Sequence, residues 1–79
     1  GGFDDALLDE AVKVVTSSGM ASTSGLQRRL RVGFTRAGRL VDMMEKAGII
    51  GPLDGARPRE ILVDEDEAAE IIERLRGAG

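Results

Sequence analysis

The sequence has no Cys, His, Trp or Tyr, and its only aromatic residues are Phe3 and Phe34. Without Cys or His, the usual zinc sites, thiol chemistry, His-based triads and disulfide scaffolds are excluded. Two Phe do not make the aromatic platform on which single strands or RNA bases stack. No run approaches the roughly 18 apolar residues a membrane helix needs, and no signal peptide is visible. The chain also lacks a GxxxxGK[ST] phosphate loop. Ser17, Ser18, Ser22 and Ser24 have no candidate activating base other than a lysine or arginine, so they read as turn and cap residues. An enzymatic role for this segment is therefore not expected, and it needs no cofactor of its own.

What remains is 79 residues with 42% apolar content, enough for one small globular domain with a modest core. A chain of this size buries only about 60% of its unfolded surface. Gly1–Phe3 reads as a linker or a cloning scar, and the chain as a piece of something larger. The net charge of −3 conceals strong segregation. Residues 1–12 carry Asp4, Asp5, Asp9 and Glu10 with no base, and residues 60–73 carry seven acids with no base. Between them, residues 27–39 hold Arg28, Arg29, Arg31, Arg36 and Arg39 with no acid. Such a band is a local field suited to phosphates and guanine edges. The alternative is that these arginines pair with the two acidic ends.

Periodicity gives the element order. Phe3 to Ser17 reads as a helix that Asp4 can cap, closed by Ser17-Ser18-Gly19. Met20-Ala21 is a possible short edge strand. Ser22-Thr23-Ser24 offers N-caps for a short helix over roughly residues 24–30, and Arg31-Val32-Gly33 is the turn after it. A third helix, capped by Thr35, runs to about Ala47, with Ala37, Leu40, Val41, Met44 and Ala47 facing inward and Gly48 closing it. Gly38 inside it costs about 1 kcal/mol relative to Ala, and either permits a close approach or serves no local purpose. Ile49-Ile50 and Arg59–Val63 read as two strands of a hairpin around Pro52–Pro58. Asp64 and Glu67 have capping-box spacing for a last helix with Ala68, Ile71, Ile72 and Leu75 on one face, before a frayed Gly77–Gly79 end.

This order predicts a mainly α (α+β) winged helix-turn-helix: three helices, a small antiparallel sheet with a β-hairpin wing, and a short C-terminal helix. The expected divisions are a winged-helix domain over residues 4–63 and an acidic helix and tail over residues 64–79. The third helix is then the recognition element. Its outer face presents Thr35, Arg36, Arg39, Asp42, Met43 and Lys46, and Thr35, Arg39, Asp42 and Lys46 form one polar stripe. In a major groove, Arg39 can bond guanine O6 and N7, Asp42 can accept from cytosine N4, and Thr35 can meet a base edge or phosphate. The bland alternative is a helical Arg39–Asp42 salt bridge, which is compatible with base reading. Ser22, Ser24, Gln27, Arg28, Arg29, Arg31, Arg36 and Lys46 are candidates for the DNA backbone. Arg57 and Arg59 are candidates on the wing. No metal site is expected.

The block from Ala21 to Glu45 resembles a known family. Ser24-Gly25-Leu26-Gln27-Arg28-Arg29-Leu30-Arg31-Val32-Gly33-Phe34-Thr35-Arg36-Ala37-Gly38-Arg39-Leu40-Val41-Asp42 is similar to the C-terminal gamma domain of the FtsK/SpoIIIE DNA translocases. Pro58-Arg59-Glu60-Ile61-Leu62 resembles that family's returning wing strand. Gly38 stands where the family usually has Ala, Phe34 where Tyr is frequent, and Thr35 matches the SpoIIIE-like branch. The resemblance implies a winged helix that binds short, asymmetric, G-rich duplex sites and orients a hexameric ATP-driven DNA pump during cell division or sporulation. It places base reading on Thr35, Arg39 and Asp42, with other gamma domains (about three per site) as partners on DNA. ATP and Mg are implied only for the parent motor, which the resemblance places at the cell membrane with this domain on the cytoplasmic side. The competing expectation is a protein-interaction module that activates the XerD recombinase. A ligand-sensing repressor would need a dimerisation helix and a pocket, which the short last helix does not offer.

Overall fold

A computed structural model describes residues 2–78. Four helices form the domain: α1 (Leu8–Ser18), α2 (Thr23–Leu30), α3 (Phe34–Lys46) and α4 (Glu65–Ala78). No described helix is long and apolar enough to cross a membrane. The last helix, expected to be short and to fray from Gly77, instead continues through Ala78 and at 14 residues is longer than α1, α2 or α3; Gly79 lies outside the described residues.

α1 starts later than Asp4 capping would place it. Asp5 instead folds the chain into a turn, its Oδ1 accepting from Leu7 N at 2.8 Å and its carbonyl from Leu8 N at 3.1 Å. Local Asx bonding competes with helix formation, and here it delays the helix to Leu8. Leu8, Ala11, Val12 and Val15 are the buried face. Gly19, at φ 73°, ends the helix and returns its N–H to Val15 O. Met20-Ala21 pairs with no strand among the described residues. Ala21 is buried, while Met20 is exposed.

Ser22 caps α2, its Oγ accepting from Gly25 N at 3.0 Å. A Cβ at Gly25 would stand 2.7 Å from that Oγ, so glycine there leaves the cap intact. Arg31 ends α2 in the left-handed region at φ 56°, a conformation that usually falls to glycine. α3 then begins at Phe34, with Gly33 as its N-cap and no side-chain cap. Thr35 is therefore inside the first turn with no capping role. Gly48, at φ 77°, closes the helix as its position predicts.

The expected sheet is absent: no regular strand forms among the described residues. Ile50 pairs with Ile61 and Asp54 with Arg57 in one antiparallel register, as two isolated bridges. In that register Pro52 lies opposite Arg59 and Pro58 opposite Leu53. With Ile49 and Leu62, and Gly51 and Glu60, as hydrogen-bonded pairs, Leu53 and Pro58 are the next one, and Pro58 has no N–H to donate there, so the ladder is interrupted; Pro52 falls at a non-hydrogen-bonded pair. What holds the loop are Gly51 N to Glu60 O and Leu62 N to Ile49 O, both 2.9 Å, beneath a tip turned by Gly55 at φ 58°.

α4 opens with reciprocal capping: Glu67 N donates to Asp64 Oδ1 at 2.8 Å, and Asp64 N to Glu67 Oε1 at 3.1 Å. It packs on α1, and buries Ala68 and Ile72 in the same core as Leu26, Leu40, Met44 and Ile50. Arg76 ties the two ends of the chain. Its Nε donates to Phe3 O at 2.8 Å, Nη2 to Asp5 O at 3.2 Å, and Nη1 approaches the Asp9 carboxylate at 3.3 Å. Phe3 is packed against the core, so the segment before α1 is part of the fold.

Gly38 approaches nothing. A Cβ built there finds no heavy atom within 4 Å, and its φ is not positive. Gly38→Ala is expected to stabilise the free domain by roughly 0.5–1 kcal/mol, read as a raised urea midpoint at unchanged slope.

Candidate nucleic-acid interface

α3 is amphipathic in the manner a groove-binding helix requires. Ala37, Leu40, Val41 and Met44 are buried, and Thr35, Arg39, Asp42 and Lys46 are all exposed on the opposite side. Met43, expected on the outer face, is half-buried against the core instead. Its thioether prefers the boundary, where it can fill space beside Met44.

Two ion pairs flank the stripe, both made by segments distant in sequence. On one side Asp5 holds Arg36 side-on, with Arg36 Nε to Oδ2 at 3.0 Å and Nη2 to Oδ1 at 2.7 Å. On the other, Arg59 Nη1 donates to Glu45 Oε1 at 2.7 Å and to Gly51 O at 2.9 Å. Arg36 and Glu45 are nine residues apart, which is about two and a half turns, so they project from opposite flanks of α3. Between them Arg39 and Asp42 make no ion pair among the described residues, neither with each other nor with another side chain. The Arg39–Asp42 bridge is thus not formed.

Pairing with the acidic ends accounts for one of the five arginines in residues 27–39. Arg36 is taken by Asp5; Arg28, Arg29, Arg31 and Arg39 carry no ion pair among the described residues. Arg28 and Arg29 are exposed in the last turn of α2, where the helix dipole favours cations, and Arg31 is exposed just beyond it. Ser24 is exposed in the first turn of α2, Gln27 is half-buried, and the Ser22 hydroxyl is occupied by its cap. The two hairpin arginines part ways. Arg57 is exposed at the tip, 4.0 Å from Asp54, whereas Arg59, with a side chain only 10% exposed, is an inner strut to α3. α4, with Glu65, Asp66 and Glu67 in its first turn, packs on α1, and its backbone stays away from that of α3.

Asp5 and Glu45 are the residues that reading the sequence missed. Each meets its arginine across a separation, 31 and 14 residues, that no periodicity reports. Phe34 also escaped: it opens α3 with its ring largely exposed, beside Thr35.

The Arg36 hydrogen bonds hold the Asp5 carboxyl below the usual carboxylate range against the opposing effect of burial, helped by Leu7 N–H and the charges of Arg36 and Arg39. The Arg36 guanidinium is raised correspondingly. A depressed carboxylate contributes stability above its unfolded value, near 3.8, and loses it as pH falls through the lower folded value. The melting-temperature gap between the wild-type protein and Asp5→Asn is therefore expected to be constant near neutrality. It should close as pH drops below 3.8; thermal scans in that range check it.

A family described as the Ftsk gamma domain matches residues 2–64. The chain is 51% identical over 78 residues, 99% of its length, to DNA translocase FtsK of Mycobacterium tuberculosis (strain ATCC 25618 / H37Rv), covering 9% of that protein. It is 54% identical over 68 residues, 84% of its length, to DNA translocase FtsK of Halalkalibacterium halodurans, again covering 9%. To DNA translocase SpoIIIE of Bacillus subtilis (strain 168) it is 48% identical over 67 residues, 85% of its length and 8% of that protein. The chain spans about a tenth of the length of these relatives. It belongs to the FtsK gamma-domain family of the FtsK/SpoIIIE DNA translocases.

Proposed function

We propose that this domain is a winged-helix reader of duplex DNA that orients a translocase motor located elsewhere in a longer parent protein. The observation that carries this reading is the outer stripe of α3. Thr35, Arg39, Asp42 and Lys46 stand exposed between two ion-pair struts, and among the described residues Arg39 and Asp42 make no ion pair. A helix bearing a hydroxyl, a guanidinium and a carboxylate in a row suits the major groove, where each has a base edge to meet. The hairpin over residues 51–61 is the wing in this reading, with Arg57 at its tip reaching the adjacent backbone. Ser24, Gln27, Arg28, Arg29 and Arg31 border the stripe and, with Lys46 at its far end, fix register through phosphates, with Ser22 presenting the start of α2.

The target class we infer is short, asymmetric and G-rich, since Arg39 is the central reading group and guanine its best partner. Several domains, about three, would share one site and gain avidity from one another. A directional site read this way gives polarity to ATP-driven pumping of chromosomal DNA at division or sporulation. ATP and Mg belong to the motor, which we place at the membrane with this domain on the cytoplasmic side.

A second reading has its own observation. Met20 and Leu53, 62% and 72% exposed, line an open groove with Ala56 and Pro58. None of the three base-reading residues borders it. This patch is the surface we assign to a protein partner, the XerD recombinase being the candidate. Met20→Ser with Leu53→Ser should abolish recombinase activation and leave duplex affinity within twofold; a parallel loss of both would merge the two surfaces.

Selection of bound duplexes from a random pool tests the main reading, and a directional, G-containing consensus is expected. Against that consensus Arg39→Ala should cost roughly 1–3 kcal/mol and flatten preference at one base position. Equal loss on scrambled duplex would remove its reading role. Arg28→Ala and Arg29→Ala should each weaken all duplexes alike and lower the salt slope by about one unit. An unchanged slope would exclude the phosphate contact.

A further inference from the structure

The geometry points to Asp5 as a selectivity-setting residue. By holding Arg36 it withdraws a positive charge from the DNA-facing side of α3, so that less of the binding is sequence-independent. This inference rests on the duplex-binding reading above, and concerns a residue outside the stripe, the α2 band and the hairpin.

Arg36 is the third residue of α3, where the positive end of the helix dipole disfavours a cation, and the first turn of α3 contains no acid of its own. Asp5 supplies that missing negative charge from 31 residues away. The contact uses Nε and Nη2 together, the fork geometry in which a guanidinium is held by a carboxylate most firmly. Its inner partner is the carboxylate: the Asp5 side chain is 12% exposed and the Arg36 side chain 42%. Asp5 is fixed in turn, because its Oδ1 also accepts from Leu7 N and its carbonyl accepts from Arg76.

For Arg36 to present its Nε and Nη2 edge to a phosphate it would have to abandon this pair, which leaves only Nη1 free. The exchange trades one anion for another and leaves a poorly solvated carboxylate unpaired beside a polyanion. The pair is therefore retained on DNA, and its net charge is zero. A neutralised arginine releases no counterion and adds nothing to the non-specific attraction that every duplex offers. Arg39, one turn further on, feels the Asp5 charge as well. Asp5 thus trims the field at the end of α3 where reading begins. The arginines of residues 28–31 keep theirs.

The test uses the folded domain and a mixed-sequence duplex, with affinity measured across a salt series. Asp5→Asn keeps an oxygen that can accept from Leu7 N and removes the charge together with one of the two oxygens that accept from Arg36. It is expected to bind the mixed-sequence duplex more tightly than wild type. Its salt slope should be steeper by about one unit, so that its loss of affinity between 50 and 200 mM salt is about fourfold greater. In the double variant Asp5→Asn with Arg36→Gln, the slope should return to the wild-type value. A purely structural role for Asp5 would leave the slope unmoved and weaken both variants, which overturns the inference. So does a weaker Asp5→Asn with a shallower slope, the result if Asp5 aims Arg36 at a phosphate. In the wild-type protein the Asp5 carboxyl carbon shift should stay in place on saturation with duplex; its displacement would show that Arg36 leaves, whatever the variants do. If wild type binds no duplex at all, the functional reading fails first and takes this inference with it, whereas wild-type binding with an unaltered Asp5→Asn slope sinks the inference alone.

Discussion

The orientation of α3 about its own axis is the constraint on which the rest depends. Ala37, Leu40, Val41 and Met44 are anchored in the core, and rotating the helix to bring its other side inward would bury Arg39 and Asp42 without partners. Unpaired buried charge costs several kcal/mol, far more than a surface contact recovers. Hydrophobic burial alone tolerates some rolling, because adjacent apolar positions can share the load. The Asp5–Arg36 and Glu45–Arg59 pairs act at opposite flanks and oppose such rolling in both senses. The outer stripe is left as the part of α3 that faces solvent with its chemistry unspent.

Charge is distributed by the same logic. Acids gather on α4 and in the segment before α1, and the C-terminal end of α4 is tied to the N-terminal segment through Arg76. Since α4 lies on α1, with its backbone away from that of α3, the net negative charge of the chain does not cancel the α2–α3 band. A polyanion meets an uneven surface, attracted at one side and repelled at another, and that unevenness orients the encounter before any base is read.

Helix order, the buried faces, Gly19, Gly48 and the Asp64–Glu67 box were legible because each is a local pattern. So was the stripe, which follows from helical spacing once α3 is recognised. The start of α1 was misread because two acids in succession offer both a cap and an Asx turn, and the tertiary bond from Arg36 favours the second. Thr35 lost its capping role because Gly33, with no side chain to signal it, occupies the N-cap. The strands shrank to bridges because Pro58, which marks the turn, also falls opposite Leu53, where the ladder needs an N–H. Arg36 and Arg59 were read as DNA-contacting candidates from their neighbours in sequence. Their acidic partners, Asp5 and Glu45, are set by the tertiary fold.

The central claim is that the outer face of α3 meets the bases of duplex DNA. Mapping backbone amide shifts of the labelled domain during titration with a selected duplex addresses it most directly. The account requires the largest changes at Phe34 to Lys46, with smaller ones along α2 and the tip at Arg57, and α4 unmoved. Saturation that perturbs α1 and α4 while Thr35, Arg39 and Asp42 stay silent would contradict it.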